Sequence, residues 1–159
     1  MSRSSLERAI PEGHRILLDS NTLIAYLDQR DPVSLVATHV VDLFVQSGRN
    51  QALVSMVTVM EVLVRPLRSR VREPYQHLLD LLTRFPNLQL GVIDLAVAQE
   101  AASLRASYNL RAADAMIVGT GLIHQVGHLV TNDADWSNRL RPLAQRIRVC
   151  HLTDHLPFD

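Results

Sequence analysis

The chain has 159 residues, 47% of them hydrophobic, and sixteen basic side chains balance sixteen acidic ones. That is the length of one domain with a proper core, and a net charge of zero means that any basic surface is local. Every basic residue is arginine. The lack of lysine excludes a P-loop nucleotide site and a Schiff-base enzyme. Arginine is the better bidentate phosphate ligand, although codon usage is the simpler source of an all-arginine composition.

In chain order, residues 1–14 (MSRSSLERAIPEGH) lack the apolar run of a secretory signal and read as a leader. Ser4 and Glu7 have capping-box spacing there, which allows a short helix or a disordered arm. Residues 15–159 read as a single domain. RILLD is a first strand, followed by a helix over Thr22 to Asp28. Leu35, Val36, Val40, Leu43 and Phe44 mark an amphipathic helix that ends near Gly48. QALVS is a second strand, and Ser55 caps a helix from Met56 to Val64 that Pro66 stops. A helix over Tyr75 to Phe85, a strand in LQLGVI and helices over Leu95 to Tyr108 and Ala112 to Gln125 come next. Gly127 stands just past the last of these helices. HLVTN and RIRVCHL are the fourth and fifth strands.

Several strands are almost continuously apolar, as expected where both faces are covered. Strands alternating with helices predict an α/β fold with a parallel sheet of about five strands between two helical layers. The run ALVSMVTVMEVLV is too short and interrupted to span a membrane, so a soluble, cytoplasmic protein is expected. The single cysteine, Cys150, excludes an internal disulfide and a multi-cysteine zinc site, and reads as a small buried thiol on a strand.

Four acids interrupt apolar runs: Asp19 after the first strand, Glu61 in VTVMEVLV, Asp114 in AADAMIV and Asp133 after the fourth strand. Alone, Asp19 fits a helix cap, Asp114 a helix N-terminus and Asp133 a turn. Glu61 is harder to place, because a buried carboxylate is costly unless paired or bound to a cation. Brought together, two such charges at about 4 Å repel by roughly 4 kcal/mol at an effective dielectric of about 20. A divalent cation converts that repulsion into affinity. An all-oxygen ligand set suits Mg²⁺ or Mn²⁺ rather than zinc, and such a site activates water against a phosphodiester.

At these residues the sequence resembles the PIN-domain ribonucleases, and in particular the VapC toxins of toxin–antitoxin pairs. The resemblance runs from about Ile16 to Leu152 and rests on LLDSNTLIAYL, SMVTVMEVL, LRAADAMIVGTG and LVTNDADW in that order. It implies a PIN-like three-layer α/β/α fold. It also implies a Mg²⁺- or Mn²⁺-dependent endoribonuclease that leaves a 3′-hydroxyl and a 5′-phosphate. Asp19, Glu61, Asp114 and Asp133 match the acidic quartet that holds the metal, and Asp135 a further acid of the last motif. Ser20, Asn21 and Thr131 match small polar positions around them. A cognate antitoxin and a homodimer are the implied partners. Trp136 stands where the family usually has Phe, and the leader is longer than in small toxins of this kind.

Two arginine clusters, Arg65, Arg68, Arg70 and Arg72, and Arg139, Arg141, Arg146 and Arg148, read either as holders of RNA phosphates or as solvated surface. Aromatic residues are 4% of the chain, so recognition of RNA is expected to rest on backbone and shape rather than on stacking. His124 and His128 are four apart, but Gly127 separates them, which disfavours a zinc pair. A haloacid-dehalogenase-like phosphotransferase would need an acid where Asn21 stands, and a lysine. A catalytically silent PIN-like interaction module is the remaining alternative.

Overall fold

The computed structural model describes residues 2–70 and 72–158. Alternation along the strands makes two hydrophobic cores from one sheet. Strands β1 (Ile16–Leu18), β2 (Ala52–Ser55), β3 (Leu88–Gly91), β4 (His128–Thr131) and β5 (Arg148–His151) pair in parallel in the order β3-β2-β1-β4-β5. Successive side chains point to opposite faces. Ile16, Leu18, Val54 and Val130 therefore enter one core with Leu23, Val40, Phe44 and Leu78. Leu17, Leu53 and Leu129 enter the other with Leu104, Ile117 and Trp136. The three central strands are buried along their whole length, which explains why they read as unbroken apolar runs.

The first core is covered by α1 (Ser2–Ala9), α2 (Ser20–Leu27), α3 (Ser34–Thr38, continuing as a π-helical stretch His39–Gln46), α4 (Met56–Ser69) and α5 (Arg72–Arg84). The second lies under α6 (Leu95–Tyr108), α7 (Ala112–Ile123) and α8 (Asp135–Arg139). The result is the expected three-layer α/β/α arrangement. Among the described residues no helix is long and apolar enough to cross a membrane.

Order in the sheet decides where a site can form. The chain starts at β1 in the middle, moves outward through β2 and β3, then crosses to β4 and β5 on the other side. Outside the carboxyl ends of β1 and β4 the direction of winding reverses, which opens a crevice. Polar residues stand there, Asp19 directly after β1 and Thr131 as the last residue of β4.

One open alternative is decided and two local expectations change. The leader contains a helix, α1, which places Leu6 and Ile10 fully inside the first core. Burial of such side chains contributes about 1.5–3 kcal/mol each. The Ser4 contact of the expected capping box lies outside the described side chains, and Met1 and Asp159, the end residues of the leader and of the expected domain, lie outside the described residues. Pro66 does not stop α4, which runs on to Ser69 because packing against α5 outweighs the one backbone bond that proline omits. The helix before Gly127 ends at Ile123, with Gln125 in the left-handed conformation. His128 thus lies on β4 and its Nε2 meets His14 Nδ1 at 2.9 Å, so it makes no helical pair with His124. Cys150 is buried on β5 as expected, and burial pushes its thiol up to about 12.

His39 is buried between Phe44 and Phe158, with each ring centroid 5.1 Å away and steeply inclined. Burial first, then the charge of Arg3, holds its pKa below the usual 6.5, and burial acts likewise on His128 and His155. As pH falls below 6.5, the unfolded chain takes up protons that the folded chain refuses. Stability therefore falls with pH until the folded values are reached. His39→Phe keeps the aromatic packing and removes one proton site. Urea titrations from about pH 7 to about pH 5 should show a flatter loss of stability in this variant. An unchanged slope would assign the acid sensitivity to other groups.

Candidate active site

Asp19 is the fixed point of the crevice. It follows β1 directly, and its backbone N–H donates to Val130 O on β4 at 3.0 Å. Its side chain is buried and accepts three hydrogen bonds from three parts of the fold. Ser20 N–H reaches Oδ1 at 2.9 Å, while Thr131 Oγ1 and Trp136 Nε1 reach Oδ2 at 2.8 and 2.9 Å. The helix-cap reading therefore holds as well, since Asp19 is the N-cap of α2. Thr131 also donates to Asn21 Oδ1 at 3.2 Å, and that oxygen takes the Asn132 N–H at 2.9 Å. Asn21 and Thr131 thus lock the end of β4 to the start of α2.

Ser55 caps α4, its Oγ accepting the Val57 N–H, and the helix carries Glu61 to the same crevice. Glu61 is partly buried, and its carboxyl lies above the usual range. Burial is the main cause, the charge of Asp19 adds to it, the Ser20 side chain opposes it, and Asp114 contributes a further upward push. Asp19 and Asp114 therefore both lie near enough to Glu61 to oppose its ionisation.

Asp114, in the first turn of α7, is buried but compensated. Arg139 Nη1 lies 3.3 Å from its Oδ2 and Arg111 Nε 3.2 Å. Arg139 also reaches Asp133 through Nη2, at 2.7 Å. Burial pushes the Asp133 carboxyl up, but the Asp135 N–H and the Arg139 guanidinium outweigh it and hold the group below its usual value. Asp135 itself is exposed and offers its backbone to Asp133. With Asp114 and Arg139 it lines a cleft of about 460 Å³ that continues past Tyr108 and Asn138.

Of the residues expected from sequence, Asp19, Ser20, Glu61, Asp114, Asn21 and Thr131 converge, while Asp133 and Asp135 stand at the rim, with Asp133 tied in through Arg139. Oxygen donors that repel one another suit a hard divalent cation. Among the described residues, however, no three Asp, Glu, His or Cys side chains lie close enough together to hold a metal ion. Two of the acids face Arg139 instead. Trp136 and Arg139 are the residues that sequence reasoning undervalued. Their i,i+3 spacing in DWSNR puts both on one face of α8, but nothing local shows that the indole N–H meets Asp19.

The arginine clusters divide. Arg65, Arg68, Arg70 and Arg72 are exposed, and Arg65 borders a groove between α2, α4 and α5 lined by Ile24, Leu27, Val62 and Leu78. In the second cluster Arg139 pairs with the site acids and Arg146 with Glu100, so these two are engaged in ion pairs rather than free for phosphate.

The PIN-domain family profile matches residues 16–140, and the chain belongs to that family. No curated protein sequence matches it. Among solved structures, the chain is similar to a toxin–antitoxin complex from Klebsiella pneumoniae, at 21% identity over 86% of this chain and 97% of that one, with a TM-score of 0.62. It is similar to VapBC2 from Rickettsia felis, bound to a DNA fragment from its promoter, at 15% identity over 86% and 98% with a TM-score of 0.66. A third is VapC20 of Mycobacterium tuberculosis, a sarcin–ricin-loop-cleaving toxin, at 12% identity over 77% and 93% with a TM-score of 0.62. At these identities the likeness is one of fold.

A raised carboxyl pKa in the folded state favours stability at low pH, and that contribution is lost as pH rises through the folded value. Glu61 therefore costs the metal-free protein stability at pH 7, where the unfolded chain is fully ionised. Glu61→Gln should raise its melting temperature in excess chelator at pH 7, with a smaller gain near pH 4. Asp114→Asn should give no such gain, because arginine already offsets that charge. Equal melting of wild type and Glu61→Gln would show that Glu61 is not under repulsion.

Proposed function

We propose that this chain is a Mg²⁺- or Mn²⁺-dependent endoribonuclease, the toxin of a type II toxin–antitoxin pair. The observation that carries the reading is the buried Asp19 at the switch point of the sheet, held in one orientation by Ser20, Thr131 and Trp136, with Glu61 near enough for burial and the charges of Asp19 and Asp114 to raise its carboxyl. Support comes from the PIN-domain family and from solved structures of similar fold, one described as a toxin–antitoxin complex and one as a sarcin–ricin-loop-cleaving toxin.

Asp19, Glu61 and Asp114 would hold the cation, and Asp133 would complete its charge balance from the rim. Asp135 would act from farther out, through its backbone contact with Asp133. A divalent ion bound there supplies hydroxide at neutral pH and stabilises the leaving oxygen of a phosphodiester. The protein's part is positional. Thr131 and Trp136 fix Oδ2 of Asp19, and the Ser20 N–H fixes Oδ1, so the carboxylate keeps one orientation. Groups of this kind change metal affinity or activity by about 10–100-fold when removed. The exposed arginines from Arg65 to Arg72 are suited to RNA backbone, and the apolar groove beside Arg65 to an antitoxin segment. A homodimer and a cytoplasmic setting belong to the same reading.

A catalytically silent interaction module is the second reading. It is favoured by Arg139, which already neutralises Asp114 and Asp133. Cleavage of transfer and ribosomal RNAs, with Mn²⁺ and with excess chelator, separates the two. Wild type should cleave only with metal, Asp19→Asn should not cleave, and Trp136→Phe should lose about tenfold in activity. Robust cleavage in chelator, or full activity of Asp19→Asn, would overturn the metal mechanism. Metal binding without cleavage of any RNA would favour the silent module.

A further inference from the structure

The acids of the crevice are compensated unevenly, and one side chain is responsible. Arg139 lies at the C-terminal end of α8 with its side chain 19% exposed. Its guanidinium forks across Asp114 and Asp133, and its Cζ stands 4.5 Å from the centroid of the Trp136 ring. The indole beneath it donates to Asp19. A single fixed cation thus pairs with two of the four acids and stacks on the side chain that holds a third. Arg111 also meets Asp114, but its side chain is 76% exposed and its charge is screened accordingly.

Guanidinium stays charged at any physiological pH, so protonation cannot clear it from the carboxylates. At 2.7 Å Arg139 occupies one lone-pair position of Asp133 Oδ2, and its positive charge repels a cation that approaches either carboxylate. We infer that Arg139 is an exchangeable internal counter-ion, which a divalent cation must displace from Asp114 and Asp133 to complete the site. This inference rests on the metal-dependent reading above. It opposes the simpler role of a support that orients the same carboxylates while metal is bound. The two roles differ in sign: removing a competitor tightens metal binding, and removing a support weakens it.

The sequence supplies its own reporter, because Trp136 is the only tryptophan. If Arg139 leaves its carboxylates on exchange, the stack on the indole is disturbed. Calorimetric titration with Mg²⁺ of wild type, Arg139→Gln and Arg139→Met should show both variants binding more tightly, by about tenfold, the scale on which groups beside metal ligands act. The Met variant keeps an unbranched stem on the indole should Gln lose the packing. In wild type, Trp136 emission should change saturably with Mg²⁺, along the calorimetric isotherm. In Arg139→Met, Mg²⁺ should bind with little change in emission. Unchanged or weaker Mg²⁺ affinity in a folded variant would overturn the exchange and assign Arg139 a supporting role. So would wild-type emission that does not respond while calorimetry reports binding, a result that requires no variant to fold. Absence of Mg²⁺ binding in wild type and variants alike would overturn the metal-dependent reading itself, and the exchange with it.

Discussion

The structure depends on a buried carboxylate that no single element could hold. Asp19 is placed by β1, caps α2 by accepting the Ser20 N–H, and is gripped by Thr131 from β4 and Trp136 from α8. Burying such a group without partners would cost several kcal/mol. Three donors meet that cost and also fix its direction. The same contacts tie β1 to β4, so the grip on Asp19 and the closure of the sheet's centre are one arrangement.

Sheet order explains why this happens in one place. Outward winding from β1 on both sides leaves the carboxyl ends of β1 and β4 adjacent and uncovered by a crossover. Helices that start or pass near that crevice bring in the other acids: α4 delivers Glu61 and α7 delivers Asp114 from its first turn. The second core supports the arrangement from below, since Trp136 is both a buried packing residue and a hydrogen-bond donor to Asp19. Packing and chemistry share a side chain there, which couples the rigidity of α8 to the orientation of the site.

Charge is distributed less evenly than position. Asp133 and Asp114 face arginine, Asp19 faces neutral donors, and Glu61 is left with burial and like charge. A cluster of this kind carries like-charge repulsion, and the arginine sets how much of it remains. On this view α8 does more than close the fold. It places an indole under one acid and a guanidinium across two others, within four residues.

Much of this was legible in the sequence. Apolar runs of strand length alternating with helical spacing gave the parallel α/β class, because burial on both faces leaves no polar alternation. Acids in apolar company marked the candidate site, because an ionised group there has few structural excuses. What only the tertiary structure decided were relations across long separations. Trp136 read as a filler of an apolar slot, yet its N–H meets an acid 117 residues earlier. Arg139 read as one of a basic cluster, yet it closes an ion pair with Asp114 on another helix. Pro66 read as a stop, and packing against α5 overrode it. The leader admitted disorder, and burial of Leu6 and Ile10 fixed it as part of the core. Periodicity and composition report on a residue's immediate surroundings, and these act over a few positions. Which donor faces which acid is set by the order of strands and the packing of helices, which no local window contains.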